Sequence, residues 1–139
     1  MNHVREALRQ VVEGADFEPP EKLLHNLKPE AATRILPGAP YSIATNVAHA
    51  DHWNRIWLAR LTRRKAPPTF PDFPVIAESD WESVRASFLE NLTIAYELSA
   101  NELDEQGRKN LLKIAVHTSY HLGQVKLLKR LSRSASQKG

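Results

Sequence analysis

The chain has 139 residues, 42% hydrophobic and 25% charged, with a formal charge of +3 and a pI near 9.3. That length suits one domain with a single core, the composition argues against extensive disorder, and the lack of cysteine excludes disulfides, thiolate metal ligands and a protein thiol nucleophile. No apolar run approaches the roughly 20 residues of a membrane span, and the polar start from Met1 to Gln10 lacks a secretory apolar region, so a cytoplasmic protein with no membrane partner is expected.

Helical periodicity runs through the whole chain, with no sustained strand pattern and no repeat, so the expected fold is all-α. Asn2 can cap a first helix reaching about Glu13, with Val4, Leu8, Val11 and Val12 on its apolar side and Gly14 ending it. Asp16 to Pro20 is turn-like. Glu21 to Leu36 should hold one or two short helical pieces, interrupted around Pro29 and stopped by Pro37-Gly38-Ala39-Pro40.

Ser42 can cap a long second helix that the run Lys65-Ala66-Pro67-Pro68 must end. Ile43, Val47, Ala50, Trp57, Leu58 and Leu61 fall on one arc of it. The connection from Pro67 to Ala77 carries four prolines with Phe70 and Phe73, which predicts an extended segment pinned by its aromatics. Ser79 or Asp80 should cap a third helix with Trp81, Val84, Phe88, Leu92, Ala95, Ser99 and Leu103 along one side, broken at Gln106-Gly107. A fourth helix is expected over about Arg108 to Leu131. Four such helices suggest a four-helix bundle over residues 1–131, followed by a basic, flexible tail at 132–139. The tail basicity reads as a solvated terminus, so no nucleic-acid partner is expected.

The chemistry concentrates on histidine. Ile114, His117, His121, Val125 and Leu128 lie in a narrow angular range of the fourth helix, so two imidazoles one turn apart face the core. A single His on an apolar face is more often a hydrogen-bonded core residue than a ligand. Two neutral rings side by side leave two polar nitrogens on each, and a divalent metal satisfies one from each ring. A third imidazole from another helix would make three protein ligands with a position left open, the pattern of catalytic zinc. Two upstream residues can supply it. By helical angle His49 lies at the edge of the second helix's apolar arc, whereas His52 points nearly opposite, to water. His3 and His25 have no spaced partner and take no role.

The segments Tyr41-Ser42-Ile43, Val47-Ala48-His49-Ala50 with Trp53, and Val116-His117-Thr118-Ser119-Tyr120-His121-Leu122-Gly123-Gln124 together resemble the signatures of the DinB/YfiT-like metalloenzyme superfamily. The resemblance spans most of the chain. It implies metal ligation by His49, seven residues after Ser42, and by His117 and His121 ahead of Leu-Gly-Gln. It further implies a four-helix bundle with a long crossover connection, a homodimer, and zinc, nickel or another divalent ion held by three His and water. Relatives that are thiol-dependent S-transferases or isomerases imply a small-molecule substrate and a low-molecular-weight thiol, although family membership does not settle the reaction.

A bound water or thiol at such a site would have its pKa drawn towards neutrality, giving hydrolysis or thiol transfer to a small electrophile. Asn46, Trp53, Asn110, Tyr120 and Gln124 are candidates for supporting the ligands by helical phase, although Trp53 and Gln124 fit packing and inter-helix hydrogen bonding as well. The alternative reading is a non-catalytic, metal-stabilised helical module for binding or dimerisation.

Overall fold

A computed structural model describes residues 2–138, with side chains as far as Ser134. Among the described residues the chain is all-helical: α1 (His3–Glu13), α2 (Pro20–Leu24), α3 (Pro29–Thr33), α4 (Ile43–Thr62), a 3-10 turn (Glu78–Asp80), α5 (Trp81–Leu98) and α6 (Glu105–Lys138). None of these helices is long and apolar enough to cross a membrane.

Local chemistry sets most boundaries. Asn2 Oδ1 accepts from the Arg5 N–H at 3.0 Å to cap α1, and Asn2 Nδ2 donates to the Ser99 carbonyl at 2.8 Å, tying that cap to the end of α5. Gly14 ends α1 at φ 79°, where a Cβ would sit 2.8 Å from the Phe17 carbonyl oxygen, so both conformation and space require glycine. Pro20 and Pro29 each open a short helix, a position where the missing N–H costs nothing. The two short helices are separated by residues 25–28, the interruption expected around Pro29, and Pro29 starts the second. Ser42 Oγ accepts from the Thr45 N–H at 3.0 Å and caps α4, which closes through Arg63 in the left-handed region at φ 57°.

Three expected boundaries are corrected. The third helix ends at Leu98, so Leu103 lies outside it, and Gln106-Gly107 falls in the first turn of α6 instead of breaking the chain. The reason is Asp104, whose Oδ1 accepts from the Gly107 N–H at 2.7 Å and starts the helix one turn earlier. At the other end α6 continues past Leu131 to Lys138. Gly139 and the side chains from Ala135 onward lie outside the described residues.

Both α1 and α4 pack against α5 and α6, while α5 and α6 barely meet, so they occupy opposite corners of the core. The interior is built from Leu8, Val47, Phe88, Leu92, Leu111 and Ile114, with α2 and α3 closing one end over Trp81. Trp81 is fully buried and donates its indole N–H to the Leu27 carbonyl at 3.0 Å. Every residue from Ile43 to Asp51 is buried. The first half of α4 is thus enclosed on all sides, and its polar residues have to find partners within the protein.

Most do so through neighbouring segments, while Asn46 Nδ2 and Asn54 Oδ1 are buried without a partner among the described residues. The Asp51 carboxylate accepts from Ser87 Oγ at 2.6 Å and Asn91 Nδ2 at 2.9 Å, joining α4 to α5. Burial raises the Asp51 pKa, opposed by the Ser87 and Asn91 hydrogen bonds. Asn54 Nδ2 donates to Thr118 Oγ1 at 3.0 Å, joining α4 to α6 beside His117.

Candidate metal centre

The enclosed half of α4 faces the middle of α6, and there His49, His117 and His121 meet. One ligand nitrogen from each lies within 4.8 Å of the others. Ring centroids are 5.1 Å apart for His49 and His117, 4.7 Å for His49 and His121, and 4.4 Å for His117 and His121. Sequence placed His49 at the edge of an apolar arc, but it is only 5% exposed, because the Pro-rich connection covers the side of α4 that the other helices leave open.

That connection holds the first imidazole. Thr45 Oγ1 donates to the Pro74 carbonyl at 2.6 Å, and His49 Nδ1, one turn on, meets the Asp72 carbonyl at 2.6 Å. A further turn on, Trp53 Nε1 donates to Asp72 Oδ1 at 2.9 Å. Residues at i, i+4 and i+8 of one helix therefore clamp a single extended segment. Phe73 stacks on the His49 ring at 4.2 Å and 4° between planes, and Tyr41 stacks on Phe73 at 5.0 Å.

The third imidazole is held from two helices. His121 Nδ1 lies 2.5 Å from Asn46 Oδ1 and 3.1 Å from Gln124 Oε1, and the Tyr41 hydroxyl reaches the same Gln124 oxygen at 3.5 Å. Carbonyl oxygens accept only, so Nδ1 carries the proton in both His49 and His121 and each Nε2 keeps its lone pair. This second layer of contacts is how metal-ligating histidines are oriented.

His117 differs from the other two. Its Nδ1 is buried without a partner, its Nε2 lies 3.0 Å from His121 Nε2, and the Trp57 ring meets it edge-on at 5.3 Å. Ligand nitrogens on a tetrahedral ion with bonds of 2.0–2.1 Å stand about 3.3 Å apart. The His117 and His121 nitrogens are already near that spacing, and lone pairs brought so close repel unless a proton or a cation lies between them. The donor set of three neutral imidazoles therefore fits a divalent metal ion.

Electrostatics favours the neutral state. Burial first, then the neighbouring His49, lowers the His117 pKa from 6.5 to about 4. Burial, followed by His117 and His49, lowers that of His121 to about 4 as well. At neutral pH both are unprotonated and can donate to a cation.

The remaining candidates separate cleanly. Asn46 and Gln124 support His121, and Trp53 supports Asp72. Tyr120 is 64% exposed and only meets the edge of His121 at 5.2 Å. Asn110 is buried two turns before His117, with its Oδ1 unpartnered, and makes no hydrogen bond to the cluster. His52, expected in water, is half-buried and packs on Phe70 at 5.0 Å; His3 and His25 are exposed.

Asp72 was missed by the sequence reading, and Phe73, expected only to pin the connection, does so by stacking on His49. The signal that could have tied both to the site is a lone acidic-aromatic pair between Pro71 and Pro74, in a connection that must cross the histidine helix. Comparison of the chain with family models, curated proteins and solved structures gives no match.

Proposed function

We propose that His49, His117 and His121 bind a divalent transition metal, zinc or nickel, and that the protein is a metal-dependent enzyme of the DinB/YfiT-like kind. In this reading α1, α4, α5 and α6 form the four-helix bundle, with residues 63–77 as its crossover. The observation that carries it is the convergence of three imidazoles with His49 and His121 each fixed through Nδ1. When bound, such an ion supplies Lewis acidity that lowers the pKa of a water or thiol towards neutrality.

The protein's own groups prepare that chemistry. The Asp72 carbonyl and Asn46 Oδ1 set the tautomers, Phe73 and Tyr41 shield the His49 side from water, and His117 presents the partly exposed edge of the cluster. The reaction class is transfer of a low-molecular-weight thiol to a small electrophile, or its hydrolysis, in a cytoplasmic homodimer. The test is metal content of purified protein with His49→Ala and His117→Ala. The reading requires near-stoichiometric divalent metal in the wild type and its loss in both variants.

A second reading has its own support. The cluster joins α4, α6 and the crossover at one point, as a structural metal would, which makes a non-catalytic binding or dimerisation module the alternative. It is separated by chelation: a structural ion removed from the protein lowers thermal stability sharply, whereas no thiol or electrophile is turned over by the loaded form.

A further inference from the structure

The outer face of α6 carries a line of exposed apolar side chains. Leu112, Val116, Tyr120, Leu127 and Leu131 are 41%, 69%, 64%, 58% and 49% exposed. With Gly123, which is exposed too, they fall inside an arc of about 100° of the helix over roughly five turns. Single exposed apolar residues are ordinary, but a contiguous stripe marks an interaction surface.

Gly123 stands in the middle of the stripe without a reason inside the chain. At Gly107, in the same helix, a Cβ would lie 3.2 Å from the Asp104 side chain and 3.3 Å from that of Leu103, whereas a Cβ at Gly123 would meet nothing within 4 Å. Glycine weakens a helix interior, so bare backbone at this point fits a neighbour that comes from outside the monomer.

The stripe is its own complement. Its spacings of four, four, three, four and four residues are the same in both directions. A second α6 laid antiparallel across it brings Tyr120 over the partner's Gly123, Val116 against the partner's Leu127 and Leu112 against the partner's Leu131. The bulkiest side chain meets the gap twice, as a two-fold interface requires. The flanks agree. Trp57 lies beside Leu112, Val116 and His117, and Leu36 to Pro40 lie beside Leu127, Leu128 and Leu131. His117 and Leu128, eleven residues apart, project within about 20° of each other, so both flanks follow one edge of the stripe. The same two-fold sets the Trp57 flank of each copy against the Leu36–Pro40 segment of the other.

The stripe is about 29 Å long and, with this edge, about 20 Å wide, a footprint of roughly 600 Å² per copy against the ~800 Å² per partner of a stable interface of standard size. That area suits a reversible dimer with a Kd on the order of 10 µM. Well below that concentration the chain is monomeric and the face lies in water.

We propose that the outer face of α6 is the interface of a two-fold symmetric, antiparallel dimer of this chain, centred between His121 and Leu122 and built on the contact of Tyr120 with the partner's Gly123. This gives the homodimer of the functional reading its surface and rests on that reading for the number of copies alone; no metal ion enters it. Lys113 and Arg130 sit at the edges of the stripe in both copies and repel, so association strengthens as salt screens them.

The chain has no cysteine, so the register can be tested directly. Val116→Cys and Leu127→Cys proteins, mixed and oxidised with diamide, should form a disulfide-linked dimer. Each protein alone should give no more than about a fifth as much, because identical positions lie about 16 Å apart along the axis. In sedimentation velocity the wild type should pass from monomer to dimer between roughly 1 and 100 µM. Gly123→Leu should raise the Kd roughly tenfold while raising the thermal midpoint of the dilute monomer, a split that a glycine needed by the monomer's own fold would not show.

A wild type that stays monomeric throughout that range, association that weakens with salt, an unchanged Kd in Gly123→Leu, or equal cross-linking by single and mixed proteins would overturn the proposal. The first result also removes the homodimer from the functional reading, whereas the last two leave a dimer on another surface. Metal content of the same samples decides the metal centre independently.

Discussion

The first half of α4 and the outer face of α6 treat the same kinds of residue in opposite ways. On α4 the residues from Ile43 to Asp51 are all buried, polar ones included; on α6 Leu112, Val116, Tyr120, Leu127 and Leu131 are left in water. Burial of polar groups is costly unless they are paired, and here the pairing is directed: Thr45 and His49 hold the crossover, Asn46 holds His121, and Asp51 holds α5. The polar groups of α4 position the cluster, whereas the outer face of α6 leaves its apolar side chains exposed.

The contrast can be broken most forcefully at Asn46. Asn46→Ala removes the oxygen that fixes His121 Nδ1, and metal affinity should fall about 10- to 100-fold; competition against a chromogenic chelator measures it. An unchanged affinity would mean that Gln124 alone orients the ring. Next comes packing. Val47 is 1% exposed, and Val47→Ala should cost about 2 kcal/mol through lost burial and the cavity left behind, read from the midpoint of urea unfolding.

Acidity offers a graded test of the same enclosure. His117 and His121 have folded-state pKa values near 4 against an ordinary 6.5. Below pH 6.5 the unfolded chain takes up protons that the fold resists, so metal-free protein should keep full stability above that pH and lose it progressively as pH falls towards 4. Urea midpoints at pH 7, 5.5 and 4.5, compared with a His117→Gln, His121→Gln double variant that lacks the slope, check this. The smallest effect belongs to the outer face. Leu131 is 49% exposed, and Leu131→Ser should change the stability of the dilute, monomeric protein by less than about 0.5 kcal/mol; a larger loss would show that this face is covered even there.

How far the sequence led depended on whether the responsible group has a signature. The pair His117 and His121 was readable because a single apolar stripe runs through α6, and Asn2 and Ser42 mark helix starts by local chemistry alone, whereas Pro20, read as turn, opens α2. His49 was readable as a candidate, but its burial was not, since periodicity carries no information where a helix is surrounded. The anchor of His49 was hidden for a different reason: its nearer acceptor on Asp72, at 2.6 Å, is the backbone carbonyl that every residue possesses, with the Asp72 carboxylate at 3.2 Å beside it. Gly107 looked like a breaker because the third helix was carried through Leu103, whereas Asp104 and Gly107 together begin the next helix.

The most direct measurement is anomalous scattering from crystals grown with zinc or nickel, recorded on both sides of the metal's absorption edge. The account predicts a peak within about 2.0–2.1 Å of one nitrogen each from His49, His117 and His121. A map with no peak between these three rings, or with metal only at exposed His3 or His25, would contradict it.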